Sequence, residues 1–229
     1  MLDTELVPAA DKGSRRLMVV LHGLGDSMDG YRWLPQALNL PWLNYRLVNA
    51  PDDYYGGFSW YDYMGDAATG VVRSRGLLFE LLDQQRKEGF PTEQTVFFGF
   101  SQGCLMVLDA GLRYPHRFAG LVGISGHVHD LEGTLKELSP VAKQQRFLVT
   151  HGLFDPLIPF APSKQQTRAL QEYGLQIEWH EFAKDHTIAG EEELAVIRAF
   201  VRRCLGPSST GPLPSAPSCF RSPSWGWGG

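Results

Sequence analysis

Cysteine is scarce in this chain: Cys104, Cys204 and Cys219 are three in 229 residues, and no Cys-x-x-Cys pair occurs. An odd, widely spaced set gives no basis for a disulfide framework or a zinc knuckle and points to a reducing, cytoplasmic setting. Runs of one charge are also missing. The 21 Lys and Arg against 25 Asp and Glu leave a formal net charge of −4, which argues against nucleic acid or an anionic membrane surface as a partner. No segment approaches the ~20 consecutive apolar residues of a membrane span. Met1 to Arg16 is polar and broken by Pro8, Asp11, Lys12 and Gly13, unlike a secretory leader. There is no internal repeat. What is present is a 43% hydrophobic composition, enough for a substantial core in one enzyme domain.

Short β-branched and aromatic runs alternate with longer segments of helical spacing, the pattern of a parallel sheet covered by helices on both faces. The expected strands are Leu17 to Leu21, Tyr45 to Val48, Thr95 to Phe98, Gly120 to Ile124, Arg146 to Thr150 and Gln176 to Phe182. Most are continuous apolar runs, as strands buried on both faces should be. The expected helices are Gly30 to Leu40, Ala67 to Glu88, Gln102 to Arg113, Ser163 to Tyr173 and Glu191 to Cys204. Gly89 with Pro91 stops one, Gly174 follows another, and three glutamates after Gly190 favour the positive end of the last helix dipole. The fold class is therefore α/β with a mostly parallel central sheet. Beyond Leu205 the composition turns abruptly to Pro, Ser and Gly. The organisation expected is a domain over residues 1–205 and a flexible tail over 206–229, whose Trp225 and Trp227 could dock on the body or on a partner.

The strongest motif is Gly99-Phe100-Ser101-Gln102-Gly103, placed directly after Val96-Phe97-Phe98 and directly before the helix-compatible Cys104 to Leu108. A G-x-S-x-G pentapeptide alone is common; between a strand and a helix it reads as a nucleophile elbow, a strained turn that presents its serine at the carboxyl edge of the sheet. A serine hydroxyl needs a base, and the base needs a partner that fixes its tautomer. In an α/β-hydrolase the chain order is Ser, then Asp or Glu, then His, each after a later strand. Asp155 follows the strand ending at Thr150, and His186 follows the strand ending at Phe182. Asp155 can also be read as the start of the turn that Pro156 demands. Of the other histidines, His22 comes too early for the base, and His116 and His180 read as surface or strand positions. His127 and His129 lack a third ligand and read as an exposed loop, so no metal is expected.

Acyl transfer also needs donors for the developing oxyanion, and backbone amides are fixed before the reaction begins. The loop Leu21-His22-Gly23-Leu24-Gly25-Asp26 follows the first buried strand, so the amides of Leu24 and of Gln102, the residue after the serine, are the expected pair. A phosphate-binding reading of the same loop fails for want of a third glycine, position 28 being Met28, and of a following lysine. The aromatic-rich stretch Asp52 to Gly65, with Trp60 and Tyr61, and the residues Phe154 and Leu157 beside Asp155 are the expected walls of an apolar acyl pocket; ordinary core packing is the competing reading for Trp60 and Tyr61.

Taken together, the loop 21–26, Ala50-Pro51, Trp60-Tyr61-Asp62, the serine pentapeptide, His151-Gly152 with Asp155-Pro156, and His186 resemble the phospholipase/carboxylesterase family, which includes small bacterial carboxylesterases and eukaryotic acyl-protein thioesterases. The resemblance runs from Leu17 to Leu205 and implies an α/β-hydrolase without a large cap domain, needing no cofactor. It implies Ser101, Asp155 and His186 as the triad and a small-molecule ester as substrate, with short- to medium-chain carboxylic esters expected. Many relatives carry glycine where this chain has Asp185, immediately before the histidine. Thioester or lysophospholipid hydrolysis on longer chains is the alternative within enzymes, and a binding protein without turnover the alternative outside them. A homodimer is one assembly the sequence leaves open.

Overall fold

The computed structural model describes residues 1–206, so the expectations for the tail fall outside the described residues. In chain order the strands are β1 (Thr4–Val7), β2 (Arg16–Leu21), β3 (Leu43–Val48), β4 (Asp52–Tyr54), β5 (Gly57–Ser59), β6 (Thr95–Phe100), β7 (Gly120–Ile124), β8 (Arg146–Gly152) and β9 (Gln176–Phe182). The helices are α1 (Leu34–Leu38), α2 (Ala67–Lys87), α3 (Gln102–Arg113), α4 (Leu131–Lys136), α5 (Phe160–Glu172) and α6 (Gly190–Leu205). Seven strands form one sheet in the order β1-β3-β2-β6-β7-β8-β9; only β1 is antiparallel to its neighbour.

Period-two alternation along each central strand sends residues into two separate cores. Leu17, Val19, Leu21, Phe97, Phe147 and Val149 face the layer made by α2, α3 and α5, whereas Met18, Val20, Val96, Phe98 and Leu148 face α1 and α6. This two-sided burial is why the strands read as unbroken apolar runs. The fold is the expected α/β-hydrolase arrangement with helices on both faces. Helix α2 is punctuated by Asp66, whose carboxylate accepts from the Thr69 amide at 3.0 Å, and by Arg86 and Lys87 in the last turn, where they complement the helix dipole.

Three differences from the sequence reading have local causes. Strand β1 escapes that reading because it is short and half-polar, and it gains its place only by pairing Thr4–Val7 with Val48–Tyr45 of β3. The stretch expected as a helix from Gly30 to Leu40 is a 3-10 turn (Met28–Tyr31) and the short α1, which starts at Leu34 and Pro35 and stops at Asn39 in a left-handed conformation. The aromatic stretch after β3 closes into the two-stranded β4-β5 hairpin. Among the described residues no helix is long and apolar enough to cross a membrane.

Candidate active site

The chain passes from β6 to α3 through Ser101, whose backbone takes φ 56° and ψ −116°. A non-glycine residue at positive φ is strained, and such strain persists only where neighbours enforce it. They do so by close approach: a Cβ on Gly99 would lie 2.2 Å from the Gly103 carbonyl oxygen, and one on Gly103 would lie 2.3 Å from that of Leu21. Only glycine at both positions lets the turn fit under the strand end of β2.

The sheet's carboxyl edge then brings three distant residues together. His186 Nε2 is 2.8 Å from Ser101 Oγ, and His186 Nδ1 is 2.8 Å from Asp155 Oδ2. With Nδ1–H donating to the carboxylate, Nε2 is left free to accept the serine proton. The Asp155 side chain is fully buried, and its second oxygen accepts from the amides of Leu157 (3.0 Å) and Ile158 (2.9 Å). One oxygen of this carboxylate organises the turn at Pro156, and the other faces His186. Burial pushes this carboxyl up, but the Ile158 amide, His186 and the Leu157 amide outweigh it and hold it below its ordinary value.

The loop after β2 is braced from beneath. His22 Nδ1 is 2.6 Å from the Gly23 carbonyl and Nε2 accepts from the Ala50 amide at 3.0 Å, an arrangement that only the neutral ring can make. The hairpin locks on to the same loop, with the Gly25 amide donating to the Phe58 carbonyl and the Phe58 amide to the Asp26 carbonyl, each at 2.9 Å. The side chain of Gln102 fastens the segment after the hairpin, accepting from the Trp60 amide (2.9 Å) and donating to the Tyr61 carbonyl (3.1 Å). These contacts leave the main-chain amides of Leu24 and Gln102 with no acceptor among the described residues. Both residues line the cavity that contains Ser101 and His186.

That cavity measures about 390 Å³. Tyr61 and Leu157 line it as expected, and Tyr63, Phe100, Ile158 and His127 line it as well. Two expected wall residues do not. Trp60 is 0% exposed and lies below the site, its indole donating to the His22 carbonyl at 2.9 Å and its own carbonyl accepting from Ser74; its packing role prevails because the indole N–H finds a buried partner there. Phe154 turns outward and is 69% exposed, since the turn set by Asp155 directs Ile158, four residues on, toward the cavity instead. His127 is a correction in the other direction: it is half-buried in the cavity wall rather than on an exposed loop.

The histidine loop is anchored by a buried ion pair. Lys184 Nζ donates to both carboxylate oxygens of Glu193 in α6 (2.7 and 2.8 Å), at 3% and 0% side-chain exposure. The same carboxylate accepts from the Ala189 amide at 2.6 Å and from the Thr150 hydroxyl in β8. Burial pulls the Lys184 ammonium below its ordinary value although Glu193 opposes that shift. One carboxylate therefore ties residues on either side of His186 to the strand that leads to Asp155.

His151 stacks on Trp179 with ring centroids 5.9 Å apart, and its Nε2–H donates to the Ile158 carbonyl at 2.9 Å. Burial lowers the pKa of His22, His127 and His151. A lowered folded-state value means that the unfolded chain binds more protons below about pH 6.5, so stability from these groups is full above that pH and is lost as pH falls through it. The melting temperature should hold level from pH 8 to 7 and fall steadily from 6.5 to 5. Asp155, lowered from the carboxylate range, adds a further loss at still lower pH. A melting temperature unchanged down to pH 5 would contradict the burial of these rings in neutral form.

The comparisons with known proteins identify the family. The model of the Phospholipase/Carboxylesterase family matches residues 2–205. Acyl-protein thioesterase 1 of Schizosaccharomyces pombe is 33% identical over 170 residues, covering 67% of this chain and 74% of that protein. The protein of the same name from Candida albicans is 28% identical over 223 residues, covering 87% and 96%. Among solved structures, that of esterase PE8 superposes with a TM-score of 0.80 at 27% identity, covering 89% of this chain and 99% of its own. On this match across almost the whole described chain, the protein belongs to the phospholipase/carboxylesterase family and is a carboxylic ester hydrolase of α/β-hydrolase fold.

Proposed function

We propose that this protein is a serine carboxylesterase acting on short- to medium-chain carboxylic esters, with Ser101 as nucleophile, His186 as general base and acid, and Asp155 orienting the imidazole. The observation that carries the reading is the unbroken hydrogen-bond line from Asp155 through His186 to Ser101 Oγ, which faces a cavity where two main-chain amides have no acceptor among the described residues. Ser101 Oγ attacks the ester carbonyl as its proton passes to His186 Nε2, and the carbonyl electron pair moves to oxygen. The amides of Leu24 and Gln102 stabilise that oxyanion in a tetrahedral intermediate. Collapse breaks the bond to the leaving oxygen, which takes the proton from His186 and departs as alcohol. Water then attacks the acyl-enzyme with its proton going to His186, and the second collapse returns that proton to Ser101 and releases the acid.

Cavity size supports the chain-length assignment. At about 390 Å³ it lies near the low end of the ~300–1,000 Å³ range of ligand pockets. A second reading, hydrolysis of long-chain acyl thioesters, is favoured by the names of the thioesterase relatives and by the apolar side chains Leu153, Phe154 and Leu157, which are 44%, 69% and 64% exposed and could carry a chain extending beyond the cavity. Specificity constants for p-nitrophenyl esters from C4 to C16, beside an S-palmitoyl peptide, separate the two. The carboxylesterase reading expects kcat/KM to peak at C4 to C8 and fall at least tenfold by C16. A value rising to C16, with the thioester preferred, assigns the long-chain reading instead.

A further inference from the structure

The segment Ser125-Gly126-His127 leaves β7 and packs directly on the serine turn. Ser125 adopts φ 50°, its amide donating to the Thr150 carbonyl at 2.9 Å, and a Cβ on Gly126 would lie 3.1 Å from the Ser101 carbonyl oxygen. The next residue is held from the far side. Gln166 of α5 accepts from the Val128 amide and donates to the Val128 carbonyl, both at 3.0 Å. His127 is thus suspended between two pinned residues, with its ring in the wall of the cavity that holds Ser101.

The His127 ring, like the hydroxyls of Tyr61 and Tyr63 in the same cavity wall, is engaged by no other group among the described residues. The Gln102 side-chain amide is occupied by Ser59, Trp60 and Tyr61, and Ser101 and His186 by each other. Among the described residues, neither nitrogen of His127 has a hydrogen-bond partner. The same cavity is lined by the apolar side chains of Leu24, Phe100, Leu157 and Ile158 and by the tyrosines Tyr61 and Tyr63. A half-buried polar group of this kind exchanges water for a ligand group when the cavity fills, and a site built to hydrogen-bond a substrate group discriminates against analogues that lack it. A neutral imidazole offers one donor and one acceptor, the complement of a hydroxyl group. Burial, reinforced by the nearby His129 and His151, keeps it neutral by lowering its pKa, so it offers no fixed positive charge to a carboxylate.

We infer that His127 is a specificity-determining residue that selects esters whose acyl group carries an uncharged oxygen substituent, a hydroxyl in particular, over the plain alkyl ester. The inference rests on the serine esterase reading and narrows its substrate class. The substituent enters the cavity with the acyl half, while the leaving group lies toward His186 Nε2.

The experiment compares p-nitrophenyl 3-hydroxybutyrate with p-nitrophenyl butyrate in wild type, His127→Leu and His127→Gln. The readout is the ratio of the two kcat/KM values within each enzyme, so that a general change in activity cancels. One hydrogen bond corresponds to roughly a three- to tenfold preference. The wild-type ratio should favour the hydroxy ester by that factor, collapse toward unity in His127→Leu, and be partly restored in His127→Gln, which keeps a donor and an acceptor. A ratio in His127→Leu within twofold of wild type, with both esters turned over, overturns the inference and leaves the esterase reading standing. Failure of the wild type to hydrolyse either ester overturns both.

Discussion

Replacing Ser101 with alanine should lower kcat/KM for p-nitrophenyl butyrate by about 10³-fold or more. The expectation follows from the bond lost: His186 Nε2, 2.8 Å from Ser101 Oγ, would have no hydroxyl to deprotonate, while the amides of Leu24 and Gln102 would still polarise a carbonyl. Residual turnover is therefore expected, carried by the oxyanion donors and by binding. Alanine carries a Cβ as serine does, so the positive φ of 56° at this position costs the variant about what it costs the parent, and a loss of activity cannot be assigned to new backbone strain. His186→Ala should fall to a similar level, and the double variant should be little worse than either single one, because a nucleophile without its base and a base without its nucleophile are equally idle. A Ser101→Ala enzyme within tenfold of wild type would contradict the nucleophile assignment.

Glu193→Ala should cost about 3–5 kcal/mol of stability, or roughly 6–20 °C in melting temperature for a domain of this size. The substitution leaves the Lys184 ammonium buried without its counter-ion and removes the acceptor of the Ala189 amide and the Thr150 hydroxyl. Orphaned buried charge is the larger part of that cost. The pair itself need not be worth as much. In Lys184→Met/Glu193→Leu no charge is stranded, and its loss should be well below the sum of the Lys184→Met and Glu193→Leu losses. Because the anchored loop carries His186, activity of Glu193→Ala should fade at temperatures below its own unfolding transition. A melting temperature within 2 °C of wild type would show that the pair does not hold the loop.

Much of this site is legible in the amino-acid sequence alone. Six strands of the central sheet and the long α2 and α3 declare themselves because they are buried on both faces or strongly periodic. The elbow does so because Gly99 and Gly103 bracket a serine between a strand and a helix. The histidine and aspartate follow from chain order. What stays hidden depends on contacts between distant segments. Strand β1 has no pattern of its own and exists through β3. Trp60 and Tyr61 are adjacent in sequence, yet one is buried under the loop that follows β2 and the other lines the cavity, both tied to the Gln102 side chain 42 and 41 residues away. Phe154 reads as a wall residue until the Asp155 turn shows that Ile158 takes that place. Nothing in the sequence around Lys184 pairs it with Glu193, and only the meeting of the histidine loop with the first turn of α6 buries the two against each other. His127 reads as one of a solvated pair until β7 is seen to deliver it beside Ser101.

Labelling with a fluorophosphonate probe, followed by peptide mass spectrometry, reads out Ser101 as nucleophile, since such a reagent phosphonylates a serine only where a base activates it and donors receive its P–O oxygen. A single adduct is expected on the peptide containing Ser101, absent in Ser101→Ala and strongly reduced in His186→Ala. An unlabelled protein that nonetheless hydrolyses esters, or an adduct on another residue, would contradict it.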